Sequence, residues 1–383
     1  MATVLLIIIY LSFISLGLPD AMLGAGWPSI YPEFGAPVSY AGLVTVICGV
    51  GTTLSSMLSQ WVIARFGPGK VTAFSTGLTA AALLGFSFSG SFPIFCLCAV
   101  PLGLGAGCVD AALNNYVAVH YESRHMSWLH CMWGVGTTVG PYVMGTVLTA
   151  GLTWRAGYRT IAMMQAALTL VLVLTLPLWG RVKAQENHTE AETVAVPMKQ
   201  LLGIPKVKAA VLFFFFYCAL EQTAALWAGS YFFLNRHVTA EMAASYAGLF
   251  YFGITVGRGV TGFLTMRFTD RQLVLFGFVI LALGILCVML PPGLPFAMAG
   301  FLLIGLGCAP SYPCLMHRTP ALFGAARSQA VVGVEMAGAY LGSALMPPFF
   351  GLMAGMLDIA LLPVWLGILL VGLCASHNAL GKE

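Results

Sequence analysis

Twelve times along the chain a run of some twenty mostly apolar residues is closed by a short polar or basic stretch. A run of about 20 apolar residues is what an α-helix needs to cross roughly 30 Å of hydrocarbon. The runs fall at residues 4–27, 39–64, 70–90, 92–118, 127–150, 156–179, 209–234, 243–266, 272–290, 295–316, 327–353 and 359–379. The first begins at once and is full length, without a charged start or a small-residue cleavage site, so it is read as a spanning helix rather than a removable leader. The one long polar segment, 182–208, separates the sixth run from the seventh. The pattern predicts an all-α membrane protein of twelve transmembrane helices in two six-helix bundles, 1–181 and 209–383, joined by a cytoplasmic linker.

The two bundles echo each other. Ser-Tyr-Ala-Gly-Leu stands at 39–43 and again at 245–249, opening the second run of each half. Gly-Leu-Gly at 103–105 recurs at 305–307, Arg65 and Phe66 match Arg267 and Phe268, and Gly136 and Gly140 match Gly338 and Gly342. A parallel repeat of six helices implies pseudo-symmetry, with a substrate site near the midplane between halves. At a shift of 201 residues Asp20 falls on Glu221, and Trp27 and Trp227 trail these acids by seven and six positions.

Composition agrees: 59% of residues are hydrophobic and 8% charged, with a mean hydropathy of +0.92. The basic residues set the orientation, because cytoplasmic loops carry the excess of Lys and Arg. With the N-terminus inside, thirteen of the 17 fall in inner loops, three (Arg155, Arg159, Arg236) in outer loops and one, Arg258, within a span. Both termini are therefore expected in the cytoplasm, in a cell membrane and most naturally a bacterial inner membrane. This distribution accounts for the net charge of +4 and leaves no basic cluster for nucleic acid. The ten cysteines all lie in spans, with no metal-knuckle spacing.

Four carboxylates, Asp20, Asp110, Glu221 and Glu335, sit inside these spans. An ionised group at the bilayer centre costs roughly 2.5–3.5 kcal/mol or more, so such residues face a water path, a partner or a substrate. Gly103, Gly107, Asp110 and Asn114 recur at helical spacing and share one face. That stripe reads as a coupling-ion site at Asp110, with Asn114 either a substrate contact or interhelical glue. Glu221, Gln222 and Trp227 on the seventh run, with Trp133 on the fifth, suit a polyol, offering acceptors for hydroxyls and an aromatic face; the competing reading for tryptophan is the interfacial belt. His130 reads as a proton relay or a structural helix-end residue. Arg258 and Glu335, each near mid-helix, are expected to form a structural or gating ion pair. No phosphate loop of Walker type and no His-Glu-x-x-His occurs, which argues against ATP as the driver and against a membrane metalloprotease.

These residues resemble the major facilitator superfamily over essentially the whole length. Residues 105–114 (GAGCVDAALN), Leu129 and His130, and 134–141 (GVGTTVGP) resemble its fucose, galactose and glucose proton-symporter branch. That branch carries acids on its first and fourth helices, positions matched by Asp20 and Asp110, with an amide nearby that Asn114 represents. The Tyr-x-Gly-x-Glu pattern of the wider group is matched by Tyr217 and Glu221, with Ala219 for the glycine. The loop between the second and third helices departs: Ala64 stands where the superfamily has an aspartate before Arg65, so the cytoplasmic gate contact is altered. The resemblance implies a monomeric secondary transporter in the lipid bilayer, with Asp110 and Asp20 coupling protons to uptake of a sugar-like small molecule. It implies no catalysis, no metal and no cofactor beyond a coupling ion. Efflux of amphipathic drugs or lipids, and a receptor that binds without transporting, are the rival expectations.

Overall fold

The computed structural model describes residues 2–121, 123–179, 201–290 and 293–381. Among them no strand occurs. The reason is the solvent: in hydrocarbon a backbone N–H or C=O has no water to bond, and a helix satisfies both within one segment. The helices are α1 (Ala2–Asp20), α2 (Met22–Glu33), α3 (Tyr40–Phe66), α4 (Pro68–Phe88), α5 (Phe92–His120), α6 (Ser123–Thr149), α7 (Trp154–Leu174) and α8 (Leu176–Trp179), then α9 (Pro205–Asn235), α10 (Ala240–Leu264), α11 (Asp270–Met289), α12 (Leu294–Cys308), α13 (Ser311–Phe323), α14 (Ala325–Met356) and α15 (Leu362–Ala379).

Among the described residues ten spans are long and apolar enough to cross a membrane. The fifth and eighth expected spans are helices of sufficient length, 27 and 25 residues, but with a heavier polar load: His125, His130, Thr137 and Thr138 on α6, Glu241 and Arg258 on α10. The first span is two helices, α1 and α2, and the tenth is likewise α12 and α13. Proline lies beside each break. Pro19 has no N–H for the carbonyl of Ser15 one turn earlier, and the Gln165 side-chain amide donates to that carbonyl instead at 2.7 Å. Gln165 in turn accepts from Thr79 at 2.6 Å, so one buried amide ties α1, α4 and α7.

By internal packing the chain divides into two compact units, Met1–His188 with His237–Gly248, and Thr189–Arg236 with Leu249–Glu383. The first is centred on Leu5, Ile9, Phe13, Leu113, Leu129 and Trp179. In the second, Val207 on α9 packs with Val331 and Val334 on α14. Residues 180–200, most of the expected linker, lie outside the described residues. Its last four residues are helix, because α9 begins at Pro205.

Glycine seams hold each unit and reveal the repeat in three dimensions. Gly51 and Gly103 bring α3 and α5 together, as Gly253 and Gly305 bring α10 and α12; Gly105 packs on Ser75 and Thr79 as Gly307 packs on Gly277 and Leu281. Every one of these pairs differs by 202 residues. The Ser-Tyr-Ala-Gly-Leu pentapeptides, 206 apart, therefore do not superpose: the first straddles the start of α3, the second lies inside α10. A second correction concerns the first helix of each half. Gly136 and Gly140 on α6 meet the carbonyls of Ile14 and Leu18, whereas Gly338 and Gly342 on α14 meet those of Val211 and Phe215. Ile14 thus corresponds to Val211 and Leu18 to Phe215, an offset of 197. Asp20 is the spatial counterpart of Tyr217, one turn before Glu221.

These seams carry a direct test. A methyl at Gly136 would run into the Ile14 carbonyl, whereas Gly262 has open space around it. Gly136→Val should therefore abolish monodisperse protein or lower Tm by many degrees. Gly262→Ala should leave Tm unchanged or raise it slightly, since alanine is about 1 kcal/mol better than glycine within a helix. Thermal unfolding in detergent measures both.

Candidate functional site

In the first unit α1, α5 and α6 bring together the acids of the first and fourth spans. Trp133 on α6 donates its indole N–H to Asp20 Oδ2 at 2.8 Å. The approach is possible because Gly17 lets α1 lie directly on the backbone of α6 at Trp133 and Thr137. Asp110 lies near enough for its charge to act on Asp20. Asn114, one turn along α5, donates to Asp110 Oδ1 at 2.9 Å and to the Asp110 carbonyl at 3.0 Å. Asp20 is exposed and Asp110 half-buried, so neither carboxylate is sealed into the core. Two carboxylates with two N–H donors and, among the described residues, no cation paired to either form a site whose charge changes when a proton or cation binds.

The second unit answers with a different chemistry at the same positions. Carried over by 202 residues, Asp110 corresponds to Tyr312, Ser56 to Arg258 and Trp133 to Glu335. Arg258 Nη2 lies 3.4 Å from Glu221 Oε1, a pair of a half-buried guanidinium and a buried carboxylate joining α10 to α9. Tyr217 and Tyr312 stand beside it, within electrostatic reach of Arg258 and with ring centroids 6.0 Å apart. Here the charge is neutralised within the protein.

This overturns the expected partnership of Arg258 with Glu335. Glu335 is fully buried on α14 and meets Thr319 of α13, whose Oγ1 is 3.1 Å from both carboxyl oxygens. Arg258 reaches Glu221 of α9 instead; mid-helix depth, the basis of the sequence reading, says nothing about which side chains meet. Trp227 is also corrected as a ligand contact: it is fully buried, its indole N–H donating to the Pro347 carbonyl at 2.9 Å and its ring packing on Phe350. Trp27 is equally buried and donates to the Val38 carbonyl at 2.7 Å. Gln222, next to Glu221, is half-buried. His130 is exposed and stands edge-on to Phe13, with 5.8 Å between ring centroids. Arg65 is exposed and rests over the rings of Trp61 and Phe66.

Sequence reasoning missed Tyr312, Thr319 and Gln165. The 202-residue repeat, applied to Asp110, would have found Tyr312. Nothing in the sequence marks Thr319 or Gln165, which matter through partners 16 and 150 residues away.

Comparison with known proteins follows the same lines. The family model described as Major Facilitator Superfamily matches residues 9–244. "Bypass of stop codon protein 6" of Saccharomyces cerevisiae is 24% identical over 68% of this chain and 56% of its own length. The "Protein TsgA homolog" of Erwinia tasmaniensis is 23% identical over 69% and 66%. The chain thus spans between about half and two thirds of these relatives. The "Probable multidrug-efflux transporter Rv1634" of Mycobacterium tuberculosis is 25% identical over 49% and 44%. Among solved structures, a D-xylose-proton symporter superposes with a TM-score of 0.77 at 15% identity, covering 98% of this chain and 96% of the other. A bacterial homologue of the human lysosomal transporter Spinster gives 0.72 at 14%, covering 99% and 96%.

The pairing in the second unit is open to a double-mutant cycle. Removing one partner of a buried ion pair costs roughly 3–5 kcal/mol, because a buried charge is stranded. Arg258→Met should lower Tm markedly, adding Glu221→Gln should recover most of the loss, and adding Glu335→Gln should recover none. Thermal unfolding of these proteins together with the Glu221→Gln and Glu335→Gln single variants reads the coupling.

Proposed function

This chain belongs to the Major Facilitator Superfamily, and on that premise we propose that it is a proton-coupled carrier taking up a sugar-like small molecule by alternating access. The observation that carries the reading is the cluster of Asp20, Asp110, Trp133 and Asn114 in the first unit. A carrier that couples to a proton needs a carboxylate that can be charged in one state and neutral in another, because an uncompensated charge opposes the rearrangement of a protein set in hydrocarbon. Asp110 takes the proton, Asn114 steadies the carboxyl in either form, and Asp20 shares the charge while Trp133 orients it. Glu221 and Gln222 on α9 offer acceptors for the hydroxyls of the substrate. Arg258 acts by neutralising Glu221, so the second unit carries no net charge at this level.

The orientation follows from the positive-inside distribution, which supports cytoplasmic termini and a bacterial inner membrane. We take the carrier to act as a monomer, and nothing in the proposed cycle calls for a metal, a cofactor or covalent chemistry. Efflux is the second reading, favoured by the resemblance to the mycobacterial efflux transporter. The two differ in what they do for a cell. An uptake carrier leaves resistance to amphipathic compounds unchanged, and an exporter raises it.

The coupling assignment is tested in proteoliposomes under an imposed pH gradient, using a sugar first identified by its stabilisation of the purified protein. Asp110→Asn should abolish gradient-driven accumulation by at least tenfold while sparing counterflow exchange. Unchanged accumulation would remove Asp110 from the mechanism.

A further inference from the structure

Glu335 is the one spanning carboxylate that the proposed transport cycle leaves without a task. It is completely buried, as is Thr319, and this contact joins α13 to α14. The cations on neighbouring elements are not paired with it: Arg258 is with Glu221, His317 with Asp270 at 2.6 Å, and neither Arg318 on α13 nor Lys206 and Lys208 on α9 bonds to it. Among the described residues its carboxyl therefore has a single hydrogen-bond partner, the Thr319 hydroxyl.

Counting hydrogens decides what form it takes. Thr319 Oγ1 lies 3.1 Å from Glu335 Oε1, 3.1 Å from Oε2 and 3.1 Å from the Leu315 carbonyl oxygen. A threonine hydroxyl has one hydrogen to donate. If Glu335 were ionised, that hydrogen would be divided among three acceptors and a buried charge would keep less than one full donor, an arrangement costing several kcal/mol. If Glu335 keeps its proton, the acid O–H donates to Thr319 Oγ1 and the hydroxyl donates to Leu315, a back-bond that threonine commonly makes within a helix. Every hydrogen then has an acceptor.

We propose that Glu335 is a proton-binding site of the second unit, separate from the acids of the first: a neutral carboxylic acid in this conformation, held by Thr319, that releases its proton to water when the α13–α14 contact opens. On release the acid O–H bond breaks, the proton passes to solvent and the carboxylate is left exposed to hydration. The site stands at the position matching Trp133, so the helix that orients Asp20 in one unit carries a proton of its own in the other. The inference does not depend on Asp110 being the coupling residue.

Infrared spectroscopy of the full chain in lipid vesicles near neutral pH tests it, since only a protonated carboxyl gives the high-frequency C=O band. Glu335→Gln should remove one such band, Thr319→Val should shift its frequency, and Asp110→Asn should leave it in place. If Glu335→Gln does not fold, wild-type protein grown with carbon-13-labelled glutamate should show the isotope shift, and Thr319→Val should move the same band. Absence of any glutamate C=O band near neutral pH overturns the proposal, as does a band indifferent to Thr319. Because transport is not the readout, a negative result here leaves the Asp110 assignment untouched, and a failed accumulation assay leaves this one untouched.

Discussion

The cost of placing a polar group where water cannot reach it governs this protein. Backbone groups meet that cost by forming helices, and side chains meet it by finding partners, one by one. Where Pro19 removes a backbone donor, Gln165 supplies another to the stranded Ser15 carbonyl. Where Trp227 brings an indole N–H into the core, the Pro347 carbonyl receives it. Where Arg258 brings a full charge, Glu221 lies 3.4 Å away. The exposed Asp20 and half-buried Asp110 are partnered by neutral N–H donors rather than a cation, as Glu335 is by a hydroxyl. A charge left adjustable at Asp20 and Asp110 is the feature on which the transport reading stands.

Duplication explains how two such different clusters share one scaffold. The glycine seams of α3 with α5 and of α10 with α12 keep the same 202-residue correspondence, contact for contact. With backbones touching at those seams, a bulky substitution is rejected, so the scaffold tolerates little drift. The polar positions between seams are not bound by that rule. Asp110 is matched by Tyr312, Ser56 by Arg258 and Trp133 by Glu335, so one unit keeps free acids and the other an internally neutralised pair. The change of offset at α9 moves its acid by one turn relative to α1, and that turn places Glu221 where Arg258 can reach it.

Much of this was legible in the chain. Apolar runs of bilayer length predict the spans because the hydrocarbon thickness is a fixed ruler. The acids of the candidate site were visible for the same reason: a carboxylate such as Asp110 in an apolar run is conspicuous whatever surrounds it. Asn114 could be paired with Asp110 because four residues along a helix is a local distance. Partners on other helices could not be read this way. Arg258 seemed suited to Glu335 by depth, and Trp227 seemed available to a ligand by its place beyond Glu221, yet both are settled by helix adjacency and by rotation about the helix axis.

By itself, then, the sequence determined the helical class, the spans, the twofold repeat and the family, along with which residues are costly to bury, since each follows from local composition and spacing. Tertiary structure alone decided that Asp20 belongs with Trp133 and Asp110, that Glu221 neutralises Arg258, and that Glu335 is left with only Thr319. Those choices depend on which helix lies beside which and in what register. A one-turn slip, 5.4 Å along a helix, is small in sequence but larger than the reach of a hydrogen bond.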